Sequence, residues 1–240
     1  MKINAKGLLY NELNEMLREK PGNCVIDNCL GQRFIGAGQS DRKIVIHGTP
    51  GNALGAYMNG ATIEVFGNAQ DAVGDTMNEG RIIIHGNIGD TAGYAMRGGE
   101  IYVQGNAGYR AGVHMKAYKE KFPVVVIGGC AGSFLGEYQA GGLIIVLGLH
   151  ENHRKIVNNF PCTGMHGGKL FVRSDCRDVL FPEQVQVHAA DDTDRKRIKK
   201  YVENYCRFFG RSDAKELLAS DYTVVVPDSN NPYKQMYVAN

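Results

Sequence analysis

The side chains able to do chemistry fall into a few groups in this 240-residue sequence. Asp71 and Asp90 are 19 residues apart. If that interval is one structural repeat, their carboxylates lie side by side and would share a proton or hold a cation. The competing reading is two aspartates capping turns. His150-x2-His153, with Cys162 and His166 downstream, has the nitrogen and sulfur ligands of a zinc site. HENHRK more simply caps a short helical excursion. His47 and His85 share a place in the repeat but lie two repeats apart, on the order of 10 Å, which is too far for one ion. Cys24-x4-Cys29 is the one close cysteine pair, read either as a redox or metal pair or as two small buried residues. Gly164-Met-His-Gly-Gly168-Lys169 lacks a spacer residue and the Ser/Thr of a phosphate loop. None of these is a specific catalytic signature. The expectation is no catalytic, cofactor-binding or metal residue, with ion binding at Asp71/Asp90 or His150/His153 left open.

Lys and Arg number 27 against 25 Asp and Glu, a net charge of +2, which gives no reason to expect nucleic acid as a partner. No apolar run approaches the ~18 residues of a membrane span, and MKINAKGLLYNELNEML has no signal-peptide layout. A cytoplasmic protein with its six cysteines reduced is expected. The composition is unusual in its 31 glycines, about 13% against a typical ~7%.

Those glycines are periodic. Gly48, Gly67, Gly86 and Gly105 are spaced by 19, as are Gly129 and Gly148. The step from Gly105 to Gly129 holds a five-residue insertion near Lys116 to Phe122. Seven residues into each unit comes a second glycine (Gly36, Gly55, Gly74, Gly93, Gly112, Gly136), and three further on a methionine (Met58, Met77, Met96, Met115). Each unit closes on a β-branched strand such as KIVIHG, RIIIHG or LIIVLG. After a seven-residue insertion, Met165 to Val172 matches Met96 to Val103, for seven units between about residues 29 and 174. A unit this short cannot bury its own apolar face and must stack on its neighbours. The expected fold is all-β, a parallel β-helix of about seven rungs and on the order of 30 Å long. Ile44/Ile46, Ile63/Val65, Ile82/Ile84 and their equivalents point inward. Asn68, Asn87 and Asn106 form either an inter-rung ladder or plain turns.

The flanks read as caps. Residues 8–20 predict a helix over one open end. Asp191 to Phe209 predicts an amphipathic helix, Ser212 onward a shorter one, and Tyr222 to Val226 a strand. The division expected is a cap over 1–24, the repeat over 25–175 and an extension over 176–240. The outward strand column, Val45, Glu64, Ile83, Tyr102, Val126 and Ile145, is mostly apolar. Either the C-terminal helix or another protein covers it.

Units such as GNAQDAVGDTMNEGRIIIHG and GNIGDTAGYAMRGGEIYVQG resemble the GXGXG domain that ends the large subunit of glutamate synthase, and are similar to the corresponding β-helix subunit of formylmethanofuran dehydrogenase. The resemblance spans about residues 25–175 and extends to the tail (NYCRFF…AKELL). It implies a right-handed, single-stranded β-helix without catalytic residues, packed between a glutaminase domain and an FMN/iron–sulfur synthase domain. This sequence departs from the family by lacking both catalytic domains, and has no clustered cysteines for an iron–sulfur centre. What the resemblance implies is a separate structural subunit of a split glutamate synthase. Its partners would be a class II amidotransferase glutaminase and the synthase subunit, homo-oligomerisation is possible, and the chain itself needs no cofactor. The alternatives are the formylmethanofuran dehydrogenase role or an independent β-helix enzyme.

Overall fold

The computed structural model describes residues 1–149 and 155–228. A short strand, β1 (Lys2–Asn4), and helix α1 (Tyr10–Glu19) precede eight stacked strands. These are β2 (Cys24–Leu30), β3 (Lys43–Thr49), β4 (Asn59–Phe66), β5 (Glu79–Ile84), β6 (Gly99–Val103), β7 (Pro123–Ile127), β8 (Ala140–Val146) and β9 (Gly167–Val172). Then come β10 (Val185–Ala189), α2 (Asp192–Phe208), α3 (Ala214–Ala219) and β11 (Thr223–Pro227). One eleven-stranded sheet runs β1-β2-β3-β4-β5-β6-β7-β8-β9-β11-β10, parallel from β1 to β9 and antiparallel over the last two pairings.

The register is that of a parallel β-helix. Ile44, Ile63, Ile82, Ile101, Val125, Ile144 and Leu170 pair in one unbroken row, with Ile46 through Val172 in a second row two residues on. Both rows are fully buried. β2 adds one strand to the seven repeats legible in sequence, with Cys29 standing where later coils carry glycine, opposite Gly48. Met58, Met77, Met96, Met115 and Met165 are buried in the same core, where flexible thioethers fill the space the β-branched rows leave.

The return path of each coil explains the glycine columns. Three alternate positions per coil adopt left-handed backbone: Ala53, Gly55 and Tyr57 in one coil, Ala72, Gly74 and Thr76 in the next. Their N–H groups bond alternately up and down the stack. Ala72 N–H donates to Asp90 O at 2.8 Å, and Gly74 N–H donates to Leu54 O at 2.8 Å. The left-handed strain is thus offset by complete backbone pairing. Only the middle position must be glycine, because it faces the core. A Cβ on Gly55 or Gly74 would stand 2.6 Å from Cδ1 of Ile82 or Ile101. The outer positions point away from the core and accept Tyr57, His114 or Phe134. In the last coil, beyond the isoleucine rows, Cys162 takes the middle position at φ 60°.

Both ends are closed. Leu13 and Leu17 of α1 enter the core over β1 and β2. Arg42 ties the C-terminal end of α1 down, donating to Leu17 O at 2.7 Å and Lys20 O at 3.2 Å. At the other end β11 pairs antiparallel with β9, which takes up the last parallel edge. β11 lies one residue from the strand the sequence predicts. β10 is not predicted, because its five residues are mostly exposed and too short to show a buried face.

Candidate functional site

The sequence-derived candidates resolve into structural roles where the described residues include them. Asp71 and Asp90 do stack on successive coils. Each carboxylate accepts a backbone N–H from the coil above: Asp90 N–H to Asp71 Oδ1 at 2.9 Å, and Tyr109 N–H to Asp90 Oδ1 at 2.8 Å. Asn52 begins the same ladder, accepting from Asp71 N–H at 3.3 Å. The Asn68, Asn87 and Asn106 column works identically, with side-chain oxygens accepting the N–H of Asn87, Asn106 and Cys130 at 2.8, 2.8 and 2.7 Å. The ladder is therefore real, but its donors are backbone amides and not neighbouring side-chain amides.

Cys24 and Cys29 are both buried on β2. Burial raises both thiols, Cys29 to about 11 against a weaker opposing contact with Gln32. Neither is poised as a thiolate. Gly167 and Gly168 begin β9, and Lys169 is held by Asp194 at 3.0 Å. Cys162 is fully buried, and burial raises its pKa. His150 and His153 lie outside the described residues. Among the described residues, no three His, Cys, Asp or Glu side chains converge as a metal site. A cleft of about 260 Å³ between α1 and the first coil is lined by Tyr10, Asn14, Arg18 and Gln39, among others. It holds no acid–base pair.

The surfaces are more informative. The outward sheet column divides in two. Tyr102, Val126, Ile145 and Phe171 are buried in a second core with Ile198, Val202 and Tyr205 of α2, and Val224 of β11. Here the C-terminal helix is the cover. Gly128 has no side chain because Tyr205 occupies that space, and Tyr205 Oη donates to Gln104 O at 3.2 Å. Asp194, at the first turn of α2, anchors the helix to Lys169 and His188 at 3.0 and 3.2 Å. Burial alone would raise its carboxyl, but these two partners hold it low.

Over β2 to β4 that cover stops. Val25, Val45 and Glu64 are only half-buried. Beside them His47, Phe66 and His85 stack on successive coils, with ring centroids 5.2 and 4.4 Å apart. Phe66 remains 43% exposed. Glu64 bridges Lys43 at 2.8 Å and His85 at 3.2 Å. The left-handed side forms another uncovered face, with Tyr94, His114 and Tyr138 in one ring series and Phe134 and Phe160 in another. The sequence reading missed this face. Its signal is bulky rings two residues before or after the second glycine of a unit, as Tyr57 stands to Gly55, His114 to Gly112, and Phe134 and Tyr138 to Gly136.

The geometry is that of a rod presenting long, partly apolar sides. Comparison with known proteins agrees at the level of fold and family. The structure resembles a chain of the formyltransferase/hydrolase complex of Methylorubrum extorquens, solved in complex with methylofuran, with a TM-score of 0.65 and 21% identity over 86% of this chain and 73% of that one. In sequence it is 44% identical to an uncharacterized protein of Methanocaldococcus jannaschii over 98% of this chain and 95% of that protein. The model of the GXGXG motif family matches residues 19–228, taking in the coils and the helix and strands that close their C-terminal end, so the chain belongs to the GXGXG family.

Proposed function

We propose that this protein is a structural subunit of an oxidoreductase assembly of the glutamate synthase type. It would hold a glutaminase subunit and an FMN/iron–sulfur synthase subunit in fixed relation so that ammonia passes between them. The assembled reaction would turn glutamine and 2-oxoglutarate into two glutamates. The observation that carries this reading is the continuous row from Ile44 to Leu170, a stiff rod whose uncovered sides are its most distinctive chemistry. No helix among the described residues is long and apolar enough to cross a membrane, and we place the assembly in the cytoplasm.

A second reading is favoured by one observation, the fold shared with a chain of a formyltransferase/hydrolase complex. There the same rod would serve a one-carbon assembly such as formylmethanofuran dehydrogenase. Purification of the tagged full chain from native extract separates the two. Glutamine-dependent glutamate formation by the co-purified complex, with loss of that activity when the chain is removed, supports the first. A molybdenum or tungsten protein in its place supports the second. Turnover by the isolated chain, abolished by Asp90→Asn, would refute both and point to an independent enzyme.

A further inference from the structure

We infer that β10, the last strand of the sheet, pairs antiparallel with β10 of a second copy of this chain, Val187 opposite Val187. The inference is independent of which assembly the protein serves. It starts from the two edges of the sheet, which are built differently. β1 at one edge has three residues and carries exposed Lys2, bridged to Asp27 at 2.9 Å. A short strand bearing a lysine is how natural sheets keep an edge from pairing. β10 at the other edge has five residues, with no Lys, Arg, Asp, Glu or Pro and no shift in its register on β11. The core is closed at this end, but the sheet is not.

The ladder on β11 decides which groups this edge offers. Ala190 N–H donates to Tyr222 O and Asp228 N–H to Gln184 O, both at 2.9 Å. The even-numbered residues of β10 therefore face β11, and the odd-numbered ones aim their N–H and C=O groups off the sheet. Val185 N–H turns back to Pro182 O at 3.3 Å. The N–H and C=O of Val187 and Ala189 have no partner among the described residues. Exposed apolar surface lies close by. Val187 is 46% exposed, and Leu180 is 84% exposed between Val179 and Phe181, which pack on the coil core at this end.

The self-match of the strand names the occupant. A twofold axis normal to the sheet, about 2.4 Å outside the free edge beside Val187 (half the ~4.8 Å strand spacing), places the second copy beyond the edge, continuing the sheet. All five residues then overlap, 185 opposite 189, 186 opposite 188 and 187 opposite 187. Val187 N–H donates to Val187 O of the other copy and Ala189 N–H to its Val185 O, each bond made twice. On one face valine meets valine. On the other Gln186 stands opposite His188, so no like charges are opposed. Both are already steadied from their own copy, Gln186 by Asp228 at 2.6 Å and His188 by Asp194 at 3.2 Å. Moving the axis to His188 would set the two imidazoles opposite each other and shorten the overlap. Such a contact is isologous and closes at two copies.

Sedimentation velocity on the full isolated chain tests this, with a dimer of micromolar dissociation constant expected. Val187→Pro removes only a donor that β11 does not use and should leave a folded monomer. Val187→Lys sets two ammonium groups opposite each other and should weaken the dimer about tenfold or more. Crosslinking tests the register, since all six native cysteines are buried. Val187→Cys puts two thiols on Cα atoms about 5.5 Å apart, within disulfide reach, and oxidised glutathione should link the copies. Ala189→Cys puts them about 14 Å apart along the strands and should not. A chain that is monomeric at about 100 μM would overturn the proposal. So would a dimer that Val187→Pro and Val187→Lys leave intact, or one that links through position 189 and not 187.

Discussion

At single positions, two glycines of the same core-facing column differ in how closely the core approaches them. Gly74→Ala combines left-handed strain with a collision on Ile101 Cδ1, and should cost about 2–4 kcal/mol. Gly93→Ala has Val125 Cγ2 at 3.1 Å as its nearest contact, and should cost about 1–2 kcal/mol. Thermal melts of the two variants should therefore separate, and equal melting temperatures would contradict the packing given for this column. Gln139 stands in the methionine column, fully buried, with Oε1 lacking a partner among the described residues. Its Nε2 reaches Gly141 O at 3.2 Å and Gly142 O at 3.4 Å. Gln139→Met removes an orphaned acceptor, which costs about 1–3 kcal/mol when buried, and restores the thioether. Its melting temperature should hold or rise. The columns themselves were legible because a left-handed core-facing position tolerates one residue type. The outer left-handed positions were not, since any side chain with room outside can occupy them, and Ala72, Thr91 and Arg110 share no property except that room.

Among the elements, α2 carries a prediction of its own. Ile198, Val202 and Tyr205 close the second core. Val202→Ala should cost about 1–3 kcal/mol and expose the β6–β9 face to a hydrophobic dye before the coils melt. The helix was readable from its apolar stripe and from Asp191, whose side chain caps it by accepting Asp194 N–H at 2.8 Å. Its destination was not readable. An apolar outward column reports only that something covers it, and the two halves of that column prove to have different fates. β10 was missed for a related reason: its identity rests on pairing with β11 and hardly at all on burial.

For the molecule as a whole, acid and alkali should act through different groups. Asp194 and Glu64 are carboxylates that burial would raise, held instead below their ordinary values by Lys169 and His188 and by Lys43 and His85. A depressed carboxylate contributes stability that is present above its unfolded value, near 4, and lost as pH falls through the folded value. Melting temperature should therefore drop below about pH 4, and less so in Lys169→Met, which starts lower. The buried thiol of Cys29, at about 11, and the buried Tyr102 and Tyr205 hydroxyls are raised by burial. Their contribution is complete below the unfolded values and lost as pH rises through the folded ones. Decline should begin at about pH 9, and Cys29→Ser should shift that alkaline limb while leaving the acid limb alone.

The coils also set the terms on which this chain can change length. Between Met115 and β7 the extra residues leave the stack and turn back on themselves, with Tyr118 and Lys121 exchanging backbone bonds at 3.1 and 3.0 Å. Below and above them the isoleucine row continues without a slip. Growth at a corner is thus accommodated outside the wall, at the small entropy of a longer closure. Shortening has no such outlet. Deleting one residue between Gly67 and Gly86 would turn every later side chain of that coil to the wrong side of the wall. Descent in such a lineage should run one way, with corners that lengthen and coils that stay nineteen.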